Sequence, residues 1–353
     1  MKIAILNDTH CGARNSSDIF MEYQEKFYDD IFFPYLLENN ITRILHLGDY
    51  YEHRKYVNFK ALEHNRRVFL DKLREHSIHM DIIPGNHDVF YKNTNELCSL
   101  KELMGHYMDC VKIHMQPTVL QIDSLHVALI PWINAENYAD TMDYIKKCKA
   151  PIVAGHFEFS GFEMYKGIPN PHGMDTKDFK RFELVLSGHF HTKSNKENIH
   201  YLGSQMEFTW GDCDDPKYFH ILDTDTREIT AINNPHTLHS KVVYNDEKTD
   251  YNGYDVTSLD NKFVKVIVER KTDYFSFDRF IDRIQQRPIH ELKIAESFAE
   301  YLGDNVEDEE IQLDDTQVLL DSYVDAVDTE ADKEKLKTLL RGLYVEAQNT
   351  EVV

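Results

Sequence analysis

Short apolar runs alternate with longer amphipathic stretches over about the first 200 residues. The runs are KIAIL, ITRILHLGD, IHMDIIPGNHD, LHVALIPW, PIVAGHF and ELVLSGHFH. Between them, apolar residues recur at helical spacing over 19–38, 59–75, 95–107 and 136–148. Alternation of strands and helices predicts an α/β fold with a largely buried sheet.

The pattern changes after about residue 215. Residues 217–245 and 262–270 predict strands of a smaller mixed unit, and 277–286 predicts a helix. The acidic run 304–310 is typical of a linker, and 315–347 predicts two helices. The second repeats Leu336, Leu339, Leu340 and Leu343 at i, i+3, i+4 and i+7, a stripe that must be buried somewhere. We therefore divide the chain into 1–215, a smaller α+β domain at 216–302, an acidic linker at 303–314 and a helical segment at 315–353.

Five of the apolar runs end in side chains that can bind a metal. These are Asp8 and His10, Asp49, Asn86 and His87, His156, and His189 and His191. The carboxyl ends of strands in an open α/β sheet converge on one crevice, so we expect these groups to meet there. Their mixture of imidazole, carboxylate and amide oxygen favours manganese, iron or zinc over calcium. Two such ions that share a carboxylate can activate a water molecule for attack on a phosphate ester. The pattern therefore predicts a phosphodiesterase.

Other histidines fit a simpler interpretation. The chain has 19 of them, and we expect His46, His64, His76 and His200 to be surface or core residues. Cys11 adjoins His10, but the ligand set is complete without it. The five cysteines form no C-x-x-C pair, so neither a disulfide framework nor a zinc knuckle is indicated.

Composition places the chain among globular proteins, with 42% hydrophobic and 28% charged residues. No run approaches the roughly 20 apolar residues of a membrane span, and no signal peptide is evident, which predicts a cytoplasmic protein. The net charge of -22 counts mildly against a nucleic-acid partner. Half of that excess lies in residues 301–353, which hold 15 acidic and 4 basic side chains.

At the ordered motifs NDTH, GDY, GNHD, GHF and GHFH, residues 1–215 resemble the calcineurin-like metallophosphoesterase superfamily. The resemblance implies a two-sheet α/β sandwich that binds two divalent ions. Residue by residue, it implies Asp8, His10 and His191 for one ion, Asn86, His156 and His189 for the other, and Asp49 as the bridge. His87 matches the family's catalytic histidine.

Within the superfamily, the chain is most similar to the SbcD-type nuclease subunits of double-strand-break repair complexes, including those of T-even bacteriophages. The NDTHCG start, some 140 residues after the last ligand motif and a tethered helical pair carry this likeness. It implies a DNA exonuclease and endonuclease that uses Mn²⁺, or else Mg²⁺. It also implies a DNA-capping domain at 216–302, a segment at 315–353 that docks on an SMC-like ATPase, and a homodimer within a heterotetramer.

One position departs from that family pattern. Many relatives place a histidine three residues after the bridging aspartate, where this chain has Glu52, and His53 follows one position later. His53 is therefore a second catalytic candidate. The protein phosphatase branch expects an arginine in G-D-x-V-D-R-G, whereas this chain reads GDYYEHRK, which disfavours that branch.

The densest basic stretch follows the second metal motif. It includes Arg54, Lys55, Arg66 and Arg67, which could bind DNA phosphates or could simply form a solvated helix face. The same helix carries Leu62, Phe69 and Leu73, which could form a dimer face or belong to the core.

Two other functions compete with a nuclease. One is a phosphodiesterase acting on small or cyclic nucleotides, which would have little use for the long carboxyl-terminal extension. The other is a non-catalytic scaffold of the same fold, which would be expected to lack ligands, whereas here none is missing. No G-x-x-x-x-G-K-[ST] phosphate loop is present, so any ATPase must be a partner.

Overall fold

The computed structural model describes residues 1–165, 168–170, 173–296, 333 and 335–337. Its strands, numbered along the chain, are β1 Lys2–Leu6, β2 Arg43–His46, β3 His79–Ile82, β4 Val111–Ile113, β5 Thr118–Ile122, β6 Leu125–Ile130, β7 Ile152–Gly155, β8 Glu163–Tyr165, β9 Ile168–Pro169, β10 Leu184–Ser187, β11 Ser194–Lys196, β12 Ile199–Tyr201, β13 Lys217–Asp223, β14 Ile229–Asn234, β15 His239–Asn245, β16 Phe263–Arg270 and β17 Glu291–Ala295. Strands β8 and β9 form a separate hairpin.

Two six-stranded sheets form the larger part of the fold. The first has the order β14-β13-β1-β2-β3-β4 and the second the order β11-β12-β10-β7-β6-β5. The central strands of each sheet are parallel, as expected when helices connect them. Ile3, Ile5 and Leu45 of the first sheet pack against Val127 and Leu129 of the second in one buried cluster. The predicted two-sheet α/β sandwich is confirmed.

Helices pack on the outer faces of the two sheets, except for the last one, Tyr274–Gln285, which belongs to the smaller unit. The α-helices are Ala13–Ser16, Asp18–Phe27, Phe33–Glu38, Phe59–Asn65, Asp71–Glu75, Ser99–Leu103, Tyr138–Lys147 and Tyr274–Gln285. Single π-helical turns, Tyr28–Phe32 and Arg66–Leu70, join the members of two helix pairs. Short 3₁₀ turns lie at Gly105–Tyr107, Lys177–Phe179, Trp210–Asp212, Tyr251–Gly253 and Val256–Leu259. The helix predicted over 95–107 is shorter than expected, since only its second half is helical.

The helix that starts at Phe59 packs onto the first sheet through its apolar residues. Leu62 is 6% exposed, while Phe69 and Leu73 are fully buried in the same cluster as Phe27 and Phe32. Of the two interpretations of these residues, the core is confirmed. A dimer face on this helix would have to use other side chains.

The first sheet continues past residue 215, where the sequence predicts a domain boundary. Strand β13 pairs antiparallel with β1, and β14 pairs with β13. Residues 217–234 therefore belong to the first sheet. The prediction that placed them in the smaller domain at 216–302 is wrong for this hairpin. Strand runs show only local pattern, so the sequence could not reveal that this hairpin returns to the amino-terminal strand.

The smaller unit is a three-stranded parallel sheet, β15-β16-β17, with the helix Tyr274–Gln285 packed on it. Asp273 caps that helix by accepting from the backbone N–H groups of Phe275 and Ser276. Phe277, Phe280 and Ile284 form its buried face. Strand β17 was not predicted.

The predicted acidic linker 303–314 lies outside the described residues. So does the predicted docking segment 315–347, apart from residue 333 and residues 335–337, which are helical. Of the helices that are described, none has the length and apolar character needed to cross a membrane.

Candidate metal centre

Tight turns at the ends of three strands, β1, β2 and β10, place four of the predicted ligands. Asp8, His10, Asp49 and His189 have positive φ angles of 50°, 44°, 53° and 89°. The left-handed region is uncommon for residues other than glycine, and such backbone strain is concentrated at functional sites. The chain therefore turns sharply at each of these four candidate ligands, directly after its strand ends.

Two glycines let the turns after β2 and β3 touch. A Cβ atom on Gly85 would lie 2.1 Å from Oδ1 of Asp49, and one on Gly48 would lie 2.6 Å from the amide nitrogen of Gly85. Only glycine allows this approach without moving the backbone. It brings Asp49 directly beside Asn86 and His87.

Asp8, His10 and His191, called group one, come together although they lie far apart in the sequence. Their ligand atoms are all within 4.8 Å of one another. Nε2 of His10 is 3.1 Å from Nε2 of His191 and 3.9 Å from Oδ1 of Asp8. Asp8 and His10 are buried, at 0% and 4% exposure.

Asn86, His156 and His189, called group two, surround the carboxylate of Asp49. Ligand atoms of Asp49, His156 and His189 lie within 4.8 Å of one another. Nε2 of His156 is 3.2 Å from Oδ2 of Asp49 and 3.0 Å from the amide oxygen of Asn86. His156 is fixed from behind, because its Nδ1 is 2.8 Å from the carbonyl oxygen of Leu47.

The chemistry of group two tests whether it fits a cation. The side-chain amide of Asn86 lies 3.0 Å from Nε2 of His156 and from Nδ1 of His189, and 3.3 Å from Oδ2 of Asp49. Two imidazoles, a carboxylate and an amide form a mixed N/O ligand set of the kind that manganese, iron or zinc accepts.

Electrostatics in the centre also favour positive charge. Burial lowers the pKa of His10, but the carboxylates of Glu52, Asp49 and Asp8 outweigh it and raise that pKa to about 10. Burial is likewise outweighed at His156, where Asp49 raises the pKa to about 9. Burial opposes ionisation of Asp49, yet the neighbouring His156 and His87 hold its pKa well below its ordinary value. The carboxylate of Asp49 thus stays charged and attracts cations to the centre.

His87 lies beside both ligand groups. Its backbone N–H donates to Oδ1 of Asp49 at 2.8 Å, and its Nδ1 is 2.6 Å from the carbonyl oxygen of Glu52. Its ring meets the ring of His10 edge-on, with centroids 4.9 Å apart. His53, the second catalytic candidate, lies outside both groups and stacks on the ring of Tyr56 at 4.4 Å.

The predicted DNA-contact residues divide into two sets. Nη2 of Arg54 is 3.2 Å from the amide of Asn86, at the metal centre itself, with exposed Lys55 next to it in the chain. Arg67 instead forms a bidentate ion pair with Glu25, at 2.5 and 3.0 Å. Arg66 is half-buried. The geometry therefore brings Arg54 to the ligands, while Arg67 is already occupied by a carboxylate.

Acidic residues on the helix Asp18–Phe27 and on the turn after it neutralise more of the basic stretch. Lys60 pairs with Asp18 at 2.5 Å, and Lys72 contacts Asp29. Both pairs are largely exposed, so each contributes little to stability. This part of the stretch fits the solvated-face interpretation better than a phosphate track.

The sequence analysis did not identify some residues that shape the centre. Asp88 accepts from the amide N–H groups of Tyr50, Tyr51 and Gly85 at 2.9–3.0 Å and so joins two ligand turns. The GNHD motif contained it, and its place next to His87 was the available signal. Buried Lys217, whose Nζ donates to the carbonyl oxygen of His191 at 3.0 Å, had no sequence signal because it lies on β13.

Comparison with known proteins gives three results. The family model described as calcineurin-like phosphoesterase matches residues 1–193. Exonuclease subunit 1 of Enterobacteria phage T4 is 31% identical over 350 residues, which cover 98% of this chain and 99% of that protein. An archaeal phosphodiesterase structure (16% identical, TM-score 0.34) covers 66% of this chain and 100% of its own, and a dimetal phosphatase from Danio rerio (8%, 0.40) covers 66% and 95%.

Proposed function

Because the chain belongs to the calcineurin-like phosphoesterase family, we propose that it is a DNA nuclease that hydrolyses phosphodiester bonds with two divalent metal ions. The observation that carries the proposal is the convergence of candidate ligand atoms in two groups, those of Asp8, His10 and His191 and those of Asp49, His156 and His189, each within 4.8 Å of one another. The near full-length similarity to a phage exonuclease subunit supports DNA as the substrate.

In this proposal, Asp8, His10 and His191 would hold one ion, Asn86, His156 and His189 would hold the other, and Asp49 would serve both. When bound, the ions supply Lewis-acid charge at the phosphate. The ligand mixture is compatible with Mn²⁺, and the similarity to SbcD-type nucleases makes Mn²⁺ the first choice and Mg²⁺ the alternative.

The chain's own residues then position the substrate and move the proton. Nδ1 of His87 lies against a carbonyl oxygen, which only accepts, so Nδ1 keeps its proton. Nε2, when it carries a second proton, would give that proton to the leaving oxygen. Arg54, next to Asn86, supplies positive charge for a phosphate oxygen. His53 stacks on the exposed ring of Tyr56 and lies outside both ligand groups.

We propose that the nuclease works with a partner ATPase subunit. The T4 relative is named a subunit, which supports a partner chain, and the leucine stripe Leu336–Leu343 suits docking on the coiled coil of an SMC-like ATPase. The homodimer, the capping role of the smaller unit and a role in double-strand-break repair and recombination remain predictions.

A nuclease assay tests the proposal. Labelled linear duplex and single-stranded DNA are incubated with the full chain and Mn²⁺ or Mg²⁺, with and without a co-purified ATPase, beside a cyclic mononucleotide. We expect metal-dependent loss of labelled DNA, stimulated on duplex by the ATPase, and no turnover after chelation. Hydrolysis of the cyclic mononucleotide with DNA left intact would refute the nuclease in favour of a small-molecule phosphodiesterase. Metal binding without any turnover would favour a scaffold.

A further inference from the structure

We propose that Glu52 is a positioning residue that orients His10 as a metal ligand through its carboxylate and His87 through its backbone carbonyl. The inference rests on the proposed two-metal function. It assigns a role to the one position where the chain departs from the pattern of similar nucleases.

The contact with His10 is short and shielded. Oε2 of Glu52 lies 2.6 Å from Nδ1 of His10, and the two side chains are 12% and 4% exposed. The other ring nitrogen, Nε2, faces His191 in group one. A neutral imidazole carries one proton, and the carboxylate favours that proton on Nδ1. The lone pair of Nε2 is then available to a metal, and the carboxylate makes the ring a stronger ligand.

The contact with His87 uses the backbone of the same residue. The carbonyl oxygen of Glu52 lies 2.6 Å from Nδ1 of His87, and the amide N–H of Glu52 donates to the carbonyl oxygen of Cys11 at 3.1 Å. An isolated parallel β-bridge between Cys11 and Tyr51 holds the turn after β1 beside the turn after β2. The backbone of Glu52 is therefore fixed against the turn that carries His10, and both histidines are set from one position.

Group two solves the same problem without a charged side chain. Nδ1 of His156 contacts the carbonyl oxygen of Leu47 at 2.8 Å, so its tautomer is set by backbone alone. A substitution at Glu52 should thus weaken the ion held by group one and leave the ion held by group two. A competing explanation is that His10, Glu52 and His87 bind a third ion, since their ligand atoms also lie within 4.8 Å of one another.

The test is a Mn²⁺ titration of the full-length chain, with free Mn²⁺ followed by electron paramagnetic resonance. We expect two ions per wild-type chain. Glu52→Ala should weaken one of them by about 10- to 100-fold and leave the other unchanged. Glu52→Gln keeps an acceptor oxygen and should lose less. The matched control is Glu25→Gln, because Glu25 also contacts a histidine, His64, at 3.0 Å but lies outside both groups. It should bind Mn²⁺ like wild type.

Hydrolysis by the variants separates orientation of His10 from damage to the site. Because His87 is held by the backbone, which both substitutions keep, saturating Mn²⁺ should restore most DNA cleavage in Glu52→Gln. Unchanged affinity for both ions in Glu52→Ala, or activity that saturating Mn²⁺ does not restore in Glu52→Gln, would overturn the inference. Three ions per wild-type chain would overturn it in favour of a third metal site. A wild-type chain that binds two ions but cleaves no DNA would refute the nuclease alone, and the titration would still decide the role of Glu52.

Discussion

Two buried aspartates on neighbouring parts of the first sheet have opposite surroundings. Asp81, on β3, is 4% exposed and accepts from Nε and Nη2 of Arg43 at 3.1 and 2.9 Å, with Nε2 of His114 at 2.7 Å. Asp49, in the turn after β2, is 2% exposed, accepts from the amide N–H of His87 at 2.8 Å and lies 3.2 Å from Nε2 of His156. The partners of Asp81 belong to neither ligand group, which suits stability, whereas Asp49 lies within 4.8 Å of the candidate ligand atoms of His156 and His189, which suits binding of a cation.

The sharpest test of this contrast is the same substitution at both aspartates. Asp49→Asn should reduce DNA hydrolysis on the order of 10³-fold or more, because both ions lose their shared carboxylate. Thermal unfolding of the metal-free protein should shift downward, since Asp49 accepts from the amide N–H of His87 and lies 3.2 Å from Nε2 of His156, and both contacts favour its ionised form. Activity is measured with Mn²⁺ on labelled DNA, and Asp81→Asn, which leaves the ligands in place, serves as the control. Full Mn²⁺-dependent activity in Asp49→Asn would contradict the two-metal assignment.

A second test separates chemistry from metal binding within the centre. His87→Ala should keep both ions, because His87 belongs to neither ligand group, yet lower the rate by about 10²- to 10⁴-fold if it transfers a proton. Single-turnover cleavage and a Mn²⁺ titration of the same preparation give the two numbers. A His87→Ala chain that loses an ion, beside an Asn86→Ala chain that keeps both, would show that the two roles are exchanged.

How much of this could be predicted depends on whether a feature is local in sequence. The predicted ligands each follow an apolar run, and parallel strands bring their carboxyl ends to one edge. Within each sheet that rule collects ligands at one end, but Asp8, His10, Asp49 and Asn86 follow strands of the first sheet, whereas His156, His189 and His191 follow strands of the second. Each ligand group therefore also depends on how the two sheets pack, which the local pattern does not specify. The order of motifs thus indicates the candidate ligands but not how they meet.

Features that depend on distant pairing were not predictable. The hairpin β13–β14 returns to β1, and nothing in its own pattern marks that partner. Lys217 reaches His191 only through this pairing. Glu52 could be noticed as a departure from the family pattern, but its contact with His10 depends on how two turns pack. Local pattern reports which face of an element is buried, and tertiary packing decides what that face meets.

The smallest expected effect concerns stability at Asp81. Asp81→Asn should lower the free energy of unfolding by about 1.5–3 kcal/mol, the usual contribution of hydrogen bonds to a charged group. Arg43 and His114 would both lose their carboxylate partner, while the metal ligands stay in place. Urea unfolding of the metal-free chain at neutral pH gives the change, and DNA hydrolysis at a temperature well below unfolding should remain near wild type.

The same pair of proteins gives a pH signature with a definite sign. Burial opposes ionisation of Asp81, but the hydrogen bonds from His114 and Arg43 outweigh it and hold its pKa below the ordinary value. A carboxyl group whose pKa is lower in the folded state stabilises the fold above its unfolded pKa, about 3.9, and loses that contribution as the pH falls through the folded value. The stability difference between wild type and Asp81→Asn should therefore be full at pH 6–7 and shrink below about pH 4. If this difference stays constant down to pH 3, the ionised form of Asp81 does not contribute to the free energy of unfolding. The difference between Asp81 and Asp49 would then lie in their hydrogen-bond partners and would not depend on the charge of Asp81.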